Sequence, residues 1–360
     1  MANKKVVVAG ATGLVGNAVL RHFGRVGGAE VVALSRRKPR KLYGARFVPV
    51  DLADAAQCAR AAAELSGSTH LVYAALYEKT DLVNGWRDES QIRTNDQMLR
   101  NLMAALAPVA ALQHVALLQG TKAYGVHVRP LSVPAREGRS EMYEQPNFYW
   151  AQENFLRELQ QGKSWHFSIL RPVLIVGLAM GGAMDLIPPL GVYAAMMRES
   201  GKPLDFPGGA PRVAQAVDVD LLARAIAWAG EASSARNQTF NVTNGDVYTW
   251  ENIWPAVADA LRMKPGRAVP LSLVNESPNW VEPWEALRRK HDLVSPGLSE
   301  FVGLSFQYAD YSMRYGHSES GPPSIVSTVK INRAGFTEMM DTEDMFRKWF
   351  AEAHASRLLP

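Results

Sequence analysis

Three glycines close to the amino end have the spacing of a phosphate-binding loop. Gly10, Gly13 and Gly16 follow the apolar run at residues 5–9 and open a segment with helical periodicity. Glycine permits a tight turn between a strand and a helix. It also lets the backbone approach a pyrophosphate, which the N–H groups of the helix N-terminus then bind. This context favours a dinucleotide site, and a tight strand–helix turn that binds no ligand is the alternative.

The end of the second apolar run indicates which dinucleotide is bound. Ser35, Arg36 and Arg37 stand where NAD sites usually carry an acidic residue that accepts from the ribose hydroxyls. A guanidinium binds a 2′-phosphate through two parallel hydrogen bonds, whereas a carboxylate repels it. We therefore expect NADPH as the cofactor. The alternatives for the basic run at residues 36–41 are a solvated turn and a nucleic-acid patch. The net charge of +4 is otherwise spread along the chain, which disfavours the second.

One lysine and one tyrosine are the candidates for catalysis. Many short-chain reductases use a tyrosine and a lysine four residues apart on one helix, but no tyrosine of this chain has that partner. Tyr149 has Glu153 there instead, and a carboxylate beside a phenol raises its pKa, the wrong direction for activation. Lys122 follows the fifth apolar run, at the sheet edge where open α/β sheets bind ligands. Either Tyr149 is not catalytic or its cation comes from elsewhere, and Lys122 is the candidate because both residues should face the nicotinamide end of the groove. The alternatives are a packing aromatic for Tyr149 and a surface cation for Lys122.

The sequence around these two residues resembles one known family. Residues 120–124 (Gly-Thr-Lys-Ala-Tyr), 147–150 (Asn-Phe-Tyr-Trp) and 171–177 (Arg-Pro-Val-Leu-Ile-Val-Gly) are similar to the progesterone 5β-reductase/iridoid synthase-like (PRISE) family of divergent short-chain dehydrogenases/reductases. The likeness covers most of the chain and weakens between residues 263 and 328. It implies the NADPH-dependent reduction of an activated C=C bond in an enone or enal, by 1,4-addition of hydride. It also implies that Lys122 and Tyr149 are catalytic, with Tyr149 stabilising the enolate oxygen.

The residue patterns and the resemblance together predict a set of cofactor contacts. The predicted cofactor-binding residues are Gly10, Thr12, Gly13, Leu14, Val15, Gly16, Ser35, Arg36, Arg37, Asp51, Leu52, Ala75, Leu118, Ile175, Gly182, Ala183 and Met184. Asp51 is placed to accept from the adenine amine, although aspartate is also common as a helix cap. The chain departs from the family at Leu76, Gln119, Ala123 and Asn154, so the family's terpenoid and steroid substrates are not carried over.

Two other functions stay open. A carbonyl reductase or epimerase of the extended short-chain type is disfavoured by the missing Tyr-x-x-x-Lys pair. A non-catalytic NADP-binding regulator is disfavoured by the retention of both Lys122 and Tyr149. The eight histidines lack the spacing of a zinc site, so we expect no metal. We expect a small apolar carbonyl-containing substrate as the partner, with neither nucleic acid nor membrane, and a homodimer stays open.

The elements that position these residues alternate between strands and helices. Apolar runs predict strands at residues 5–9, 30–34, 46–50, 70–74, 114–118, 167–170 and 239–242, and periodicity predicts helices at 14–23, 55–65 and 95–106. Such short apolar runs separated by helices are typical of a parallel sheet covered on both faces. We predict an α/β fold, with a Rossmann-type doubly wound sheet in residues 1–177. A smaller, mostly helical substrate-binding lobe is expected in residues 178–360, with 239–243 returning to the sheet.

One irregular segment lies between the two catalytic candidates. Residues 127–146 carry three prolines and several charges with little periodicity, and we predict a lid over the substrate there, with a plain surface connection as the alternative. The single cysteine, Cys58, excludes an internal disulfide and fits a reducing compartment. No leader peptide precedes the first strand, and no apolar run is long enough to span a bilayer. We therefore expect a cytoplasmic protein.

Overall fold

A computed structural model describes residues 4–79 and 85–360 of the chain. Its strands, in chain order, are β1 (Lys4–Ala9), β2 (Ala29–Ser35), β3 (Arg46–Pro49), β4 (His70–Tyr73), β5 (His114–Leu118), β6 (His166–Pro172), β7 (Leu174–Val176), β8 (Leu204–Phe206), β9 (Ala216–Asp218), β10 (Gln238–Val242) and β11 (Pro265–Ala268).

Its α-helices, in chain order, are α1 (Leu14–Val26), α2 (Ala55–Arg60), α3 (Ala62–Leu65), α4 (Glu89–Leu106), α5 (Phe148–Gln160), α6 (Ile187–Glu199), α7 (Val219–Glu231), α8 (Trp250–Ala260), α9 (Leu273–Glu276), α10 (Val281–Lys290), α11 (Leu298–Val302), α12 (Ser305–Ser312), α13 (Val329–Arg333) and α14 (Thr342–Ala355). Short 3₁₀ helices occupy Gly85–Arg87, Thr121–Tyr124, Ser233–Ala235 and Ser277–Trp280.

The chain forms two compact units, and each is built from separate stretches of sequence. The first takes its described residues from Met1–Val173, Val219–Val242 and Val326–Glu338. The second takes Leu174–Asp218, Thr243–Ile325 and Met339–Pro360. The sequence predicted a boundary after residue 177 with residues 239–243 returning to the sheet, and β10 does pair with β6 in the first unit. The structure also assigns α7 and α13 to the first unit, which the prediction did not include.

The first unit is a doubly wound parallel sheet. Among the described residues, seven strands pair in the order β10-β6-β5-β4-β1-β2-β3, and each of these pairs is parallel. The strand order reverses between β1 and β4, which creates the crevice where open α/β sheets bind their ligands. The prediction of a Rossmann-type α/β sheet is confirmed.

Continuous apolar runs explain why this sheet is covered on both faces. Val6, Val7 and Val8 of β1 are all fully buried, which a strand with one solvated face does not show. The helix predicted at residues 95–106 begins earlier, at Glu89, because Asp88 caps it by accepting from the backbone N–H groups of Ser90 and Gln91. Because the seven strands are parallel, their carboxyl ends meet at one edge of the sheet, and this edge carries the candidate site residues of the first unit.

The segment at residues 127–146 is irregular, as expected, but its second half is fixed to the first unit. Ala135 forms a parallel bridge with Val326 and is fully buried. The backbone N–H of Met142 donates to the carbonyl of Ala123 at 3.0 Å, and the Met142 side chain is buried. These contacts hold the part of the segment that includes residues 135–142. The prediction of a lid, with a plain surface connection as its alternative, concerns the other residues of the segment 127–146.

The second unit is helical with two small additions. The prediction of a mostly helical lobe did not include the pairs β8–β11 and β7–β9, which are parallel ladders of only a few residues. Runs this short leave little periodicity in the sequence, so they were missed. No helix within the described residues has the length and hydropathy needed to cross a membrane.

Candidate active site

The glycine loop lies at the switch point of the sheet. Gly10 has φ +84°, and a Cβ there would lie 2.7 Å from the carbonyl oxygen of Ala74, directly after β4. A Cβ on Gly16 would lie 2.2 Å from the carbonyl oxygen of Gly10. Gly13 begins α1 without a side-chain cap, and no acidic residue lies in the first turn of this described helix. Positions 10 and 16 therefore admit no side chain, and the N-terminus of α1 offers its N–H groups to an anion.

The residues predicted to select the cofactor lie at the next strand end. The side chains of Arg36 and Arg37 are exposed directly after β2, and neither forms an ion pair with a described residue. The hydroxyl of Ser35 donates to the carbonyl oxygen of Arg37 at 2.7 Å, which holds the turn that carries both guanidinium groups. Two cations without carboxylate partners beside the glycine loop suit a phosphate group.

Asp51 lies beside a helix, but Asp54 is the residue that caps it. Asp54 accepts from the backbone N–H groups of Ala56 and Gln57 at the start of α2. Asp51 accepts from the N–H of Ala53 at 3.0 Å, within the turn after β3. The capping alternative for Asp51 is therefore wrong, and its adenine contact stays a prediction.

The remaining predicted cofactor residues fall in two groups. Ala75 follows β4, Leu118 is the last residue of β5, and Leu52 is buried after β3. All three belong to the first unit. Ile175, Gly182, Ala183 and Met184 belong to the second unit. There Ile175 is on β7, and residues 182–184 form a loop whose Gly182 carbonyl accepts from the backbone N–H of Leu304 and the hydroxyl of Ser305.

Tyr149 is fixed at the start of α5. Asn147 caps this helix by accepting from the backbone N–H of Tyr149 at 3.0 Å, and its amide donates to the carbonyl oxygen of Lys122 at 3.3 Å. A Cβ on Gly120 would lie only 3.3 Å from the Tyr149 hydroxyl, so glycine leaves room for that group beyond the end of β5. Burial, followed by the nearby Glu78, raises the pKa of Tyr149 well above its usual value. The phenol therefore keeps its proton and can donate.

Lys122 and Tyr149 contact the same side chain. The Lys122 Nζ lies 3.6 Å from the centroid of the Trp86 ring, and the ring of Tyr149 packs edge-on to Trp86 with centroids 5.4 Å apart. Burial lowers the pKa of Lys122 to about 8, and the Glu78 carboxylate opposes this effect. The two residues predicted from the sequence are thus brought together by a tryptophan that the sequence did not indicate.

Sequence reasoning missed three residues of this cluster. The indole N–H of Trp86 donates to the Glu78 carboxylate at 2.8 Å, and the His127 ring lies 6.5 Å from the Trp86 ring. Glu78 follows β4 as Lys122 follows β5, and this shared position at the sheet edge was the available signal. Trp86 and His127 lie on connections whose path the sequence does not specify. Within the described residues, no group of three histidine, cysteine or carboxylate side chains could hold a metal ion.

Glu153 does not face the phenol of Tyr149. Its carboxylate accepts from Arg157 at 2.7 Å, from Gln119 at 3.1 Å and from Arg171 at 3.4 Å. The expectation that Glu153 raises the pKa of Tyr149 is wrong, because Glu153 is paired with Arg157 and Arg171 and Glu78 is the carboxylate that acts on the phenol.

The sheet order and the glycine loop at its switch point define a Rossmann-fold protein of the short-chain dehydrogenase/reductase type. Residues 54–360 match the family model of the PRISE-like Rossmann-fold domain, and the chain belongs to this family. The resemblance inferred from the sequence is confirmed.

Two relatives and one solved structure illustrate the similarity. A 3-oxo-Delta(4,5)-steroid 5-beta-reductase from Arabidopsis thaliana is 28% identical over 375 residues, covering 98% of this chain and 92% of the relative. An (S)-8-oxocitronellyl enol synthase from Catharanthus roseus is 29% identical over 325 residues, covering 84% and 80%. A short-chain dehydrogenase/reductase superfamily protein from Agrobacterium tumefaciens, solved with bound NAD, aligns with a TM-score of 0.65 at 15% identity over 98% of both chains.

Proposed function

We propose that this protein uses NADPH to reduce the activated C=C bond of a small apolar enone or enal. The observation that carries the proposal is the convergence of Lys122 and Tyr149 on the ring of Trp86. An ammonium and a protonated phenol at one site suit the stabilisation of a developing oxyanion. The glycine loop and the exposed Arg36 and Arg37 lie at the same edge of the sheet, where they suit a dinucleotide with a 2′-phosphate.

Relatives support this choice of chemistry. One is named a 5-beta-reductase and another an oxocitronellyl enol synthase, and a structural neighbour of the same fold contains NAD. The name of the first relative supports a reduction, and the NAD of the structural neighbour supports a nicotinamide cofactor. The preference for NADPH rests on Arg36 and Arg37, and the reduction of a C=C bond rests on the family to which the chain belongs.

The side chains of this chain would act on the carbonyl end of the substrate. NADPH held at the glycine loop would supply a hydride for the β-carbon of the C=C bond. The π electrons of that bond would form a new double bond between the α-carbon and the carbonyl carbon, and the π pair of the carbonyl would move onto its oxygen. Tyr149 donates a hydrogen bond to this oxygen, and the Lys122 cation lowers the energy of the enolate. The α-carbon would finally take a proton from solvent water, which gives the saturated carbonyl compound.

Product identification tests the proposal. The protein is mixed with NADPH and a panel of small enones, enals, ketones and aldehydes, and the products are analysed by mass spectrometry. Saturated carbonyl products support the proposed function. Alcohols would identify a carbonyl reductase instead, and tight NADPH binding without turnover of any compound would identify a regulator.

Tyr149→Phe tests the assignment of the oxyanion donor. Removal of one such donor typically costs ~10²–10³ in rate, so we expect kcat to fall by that factor while NADPH binding is retained. Tyr143→Phe is the matched control, because the Tyr143 side chain is exposed and should leave kcat unchanged. A Tyr149→Phe enzyme with full activity would remove Tyr149 from the catalytic site.

A further inference from the structure

Trp86 occupies an unusual place for a residue that only fills the core. It is 2% exposed and packs in an apolar cluster with Ala123, Phe148, Tyr149 and Trp150. One face of its ring nevertheless carries the Lys122 ammonium, with Nζ 3.6 Å from the centroid. A cation this close to the face of an indole is attracted by the negative quadrupole of the ring, and the attraction is strongest where water is excluded.

The edge of the same indole is held by a carboxylate. Glu78 accepts the indole N–H at 2.8 Å, which fixes the ring plane and draws electron density toward the ring. No ion pair within 4.0 Å joins Glu78 and Lys122 among the described residues, so the two charges act on each other at longer range. Trp86 therefore contacts both the Glu78 carboxylate and the Lys122 ammonium.

We propose that Trp86 and Glu78 are positioning residues for Lys122. Glu78 fixes the indole through its N–H, and the indole contacts both the Lys122 ammonium and the ring of Tyr149. The catalytic consequence rests on the proposed function, in which that ammonium stabilises an oxyanion.

Charged and titratable groups surround Lys122 from several elements. Glu78 approaches from the connection after β4, and Tyr149 from the start of α5. The ring of His127 lies 6.5 Å from the Trp86 ring, and the pKa of His127 is lowered to about 4 by burial first and then by Lys122 and Arg87. His127 is thus neutral near pH 7. Glu78 and the face of Trp86 are the groups that favour the charged form of Lys122.

The charge state of Lys122 can be measured without any turnover. Competitive acetylation with acetic anhydride at a series of pH values, followed by mass spectrometry of the Lys122 peptide, reports the fraction of neutral amine. In the wild-type protein the midpoint is expected near pH 8. Glu78→Gln keeps an acceptor for the indole N–H but removes the charge, so the midpoint should move to lower pH by about one pH unit.

The indole itself is tested by graded substitution. Trp86→Phe keeps a weaker aromatic face, and Trp86→Leu keeps none, so the Lys122 midpoint should fall in the order Trp, Phe, Leu. Trp150→Phe is the matched control. That residue belongs to the same apolar cluster, but its indole donates to the Met142 carbonyl at 3.1 Å. It should leave the Lys122 midpoint unchanged. Equal midpoints in the wild type, Glu78→Gln and Trp86→Phe would overturn the proposal.

The pH dependence of turnover supplies the second readout. The rate of enone reduction should fall as the pH rises through the pKa of Lys122, because the ammonium loses its charge. In Glu78→Gln the fall of the rate at alkaline pH, the alkaline limb of the pH–rate profile, should move to lower pH by the same amount as the labelling midpoint. A shifted labelling midpoint without any enone reduction would refute the proposed function. It would still support the positioning of Lys122 by Trp86 and Glu78. An alkaline limb that stays in place despite a shifted midpoint would refute the positioning role.

Discussion

Arg36 and Arg37 carry the residue-scale prediction about the cofactor. Their side chains are exposed after β2 beside the glycine loop. A charge-assisted hydrogen bond contributes about 1.5–3 kcal/mol, so Arg36→Ser or Arg37→Ser should weaken NADPH binding by roughly ten- to a hundredfold. Binding of NADH, which lacks the 2′-phosphate, should change little. Calorimetric titration with both dinucleotides measures the two effects.

Lys38→Ser is the matched control for this pair. It removes one positive charge from the same exposed turn without removing a guanidinium. If the general field of the turn attracted the cofactor, Lys38→Ser and Arg37→Ser would weaken NADPH binding equally. Equal losses for NADPH and NADH in the arginine variants would refute the phosphate role.

The residue scale also shows how far the site could be predicted from the sequence. Lys122 and the glycine loop were predictable because each lies shortly after an apolar strand, and parallel strands place their carboxyl ends at one edge. The role of Trp86 was not predictable, because it depends on contacts with Glu78 and Lys122, which follow two different strands, and with Tyr149 at the start of α5. Such a cluster leaves no periodicity in the sequence.

At the scale of elements, Arg171 of β6 connects three parts of the first unit. It is 1% exposed and donates to Glu141 of the segment 127–146 at 2.5 Å, to Glu153 of α5 at 3.4 Å and to Gln119 after β5 at 2.8 Å. Buried charges require partners, so this arrangement fixes the segment and the helix that carries Tyr149 against the sheet. The strands themselves were predictable, whereas this set of contacts needs the fold first.

Glu141→Gln tests this element-scale connection. Removal of one partner from a buried ion pair costs about 3 kcal/mol at the lower end of measured values. Backbone amides at residues 135–142 should therefore exchange with solvent ~10²-fold faster. Hydrogen exchange followed by mass spectrometry measures this locally. Glu144→Gln is the control, because Glu144 is an exposed carboxylate of the same segment and its loss should leave the exchange unchanged. Similar exchange in both variants would show that Glu141 does not hold the segment.

At the scale of the whole molecule, one row of histidines lies at the amino ends of three neighbouring strands of the first unit. His70, His114 and His166 are register partners on β4, β5 and β6. His114 is 4% exposed, and its Nε2 is 3.0 Å from the Ser168 hydroxyl. Burial, then His70, His166 and Lys4, lower the pKa of His114 from 6.5 to about 3. Between about pH 6.5 and pH 3, His114 is therefore neutral in the folded protein but protonated in the unfolded chain.

This row predicts a pH-dependent stability. As the pH falls below 6.5, the unfolded chain binds a proton at His114 that the folded protein binds only near pH 3, so stability decreases across this window. From pH 7 to pH 5 the contribution of His114 is about 2 kcal/mol. His114→Gln cannot charge and can keep a hydrogen bond to Ser168, so it should lose about 2 kcal/mol less than the wild type over that range. Urea unfolding followed by circular dichroism at both pH values measures the difference. His291→Gln, at an exposed position, should follow the wild type, and a His114→Gln curve parallel to the wild type would contradict the role of the buried imidazole.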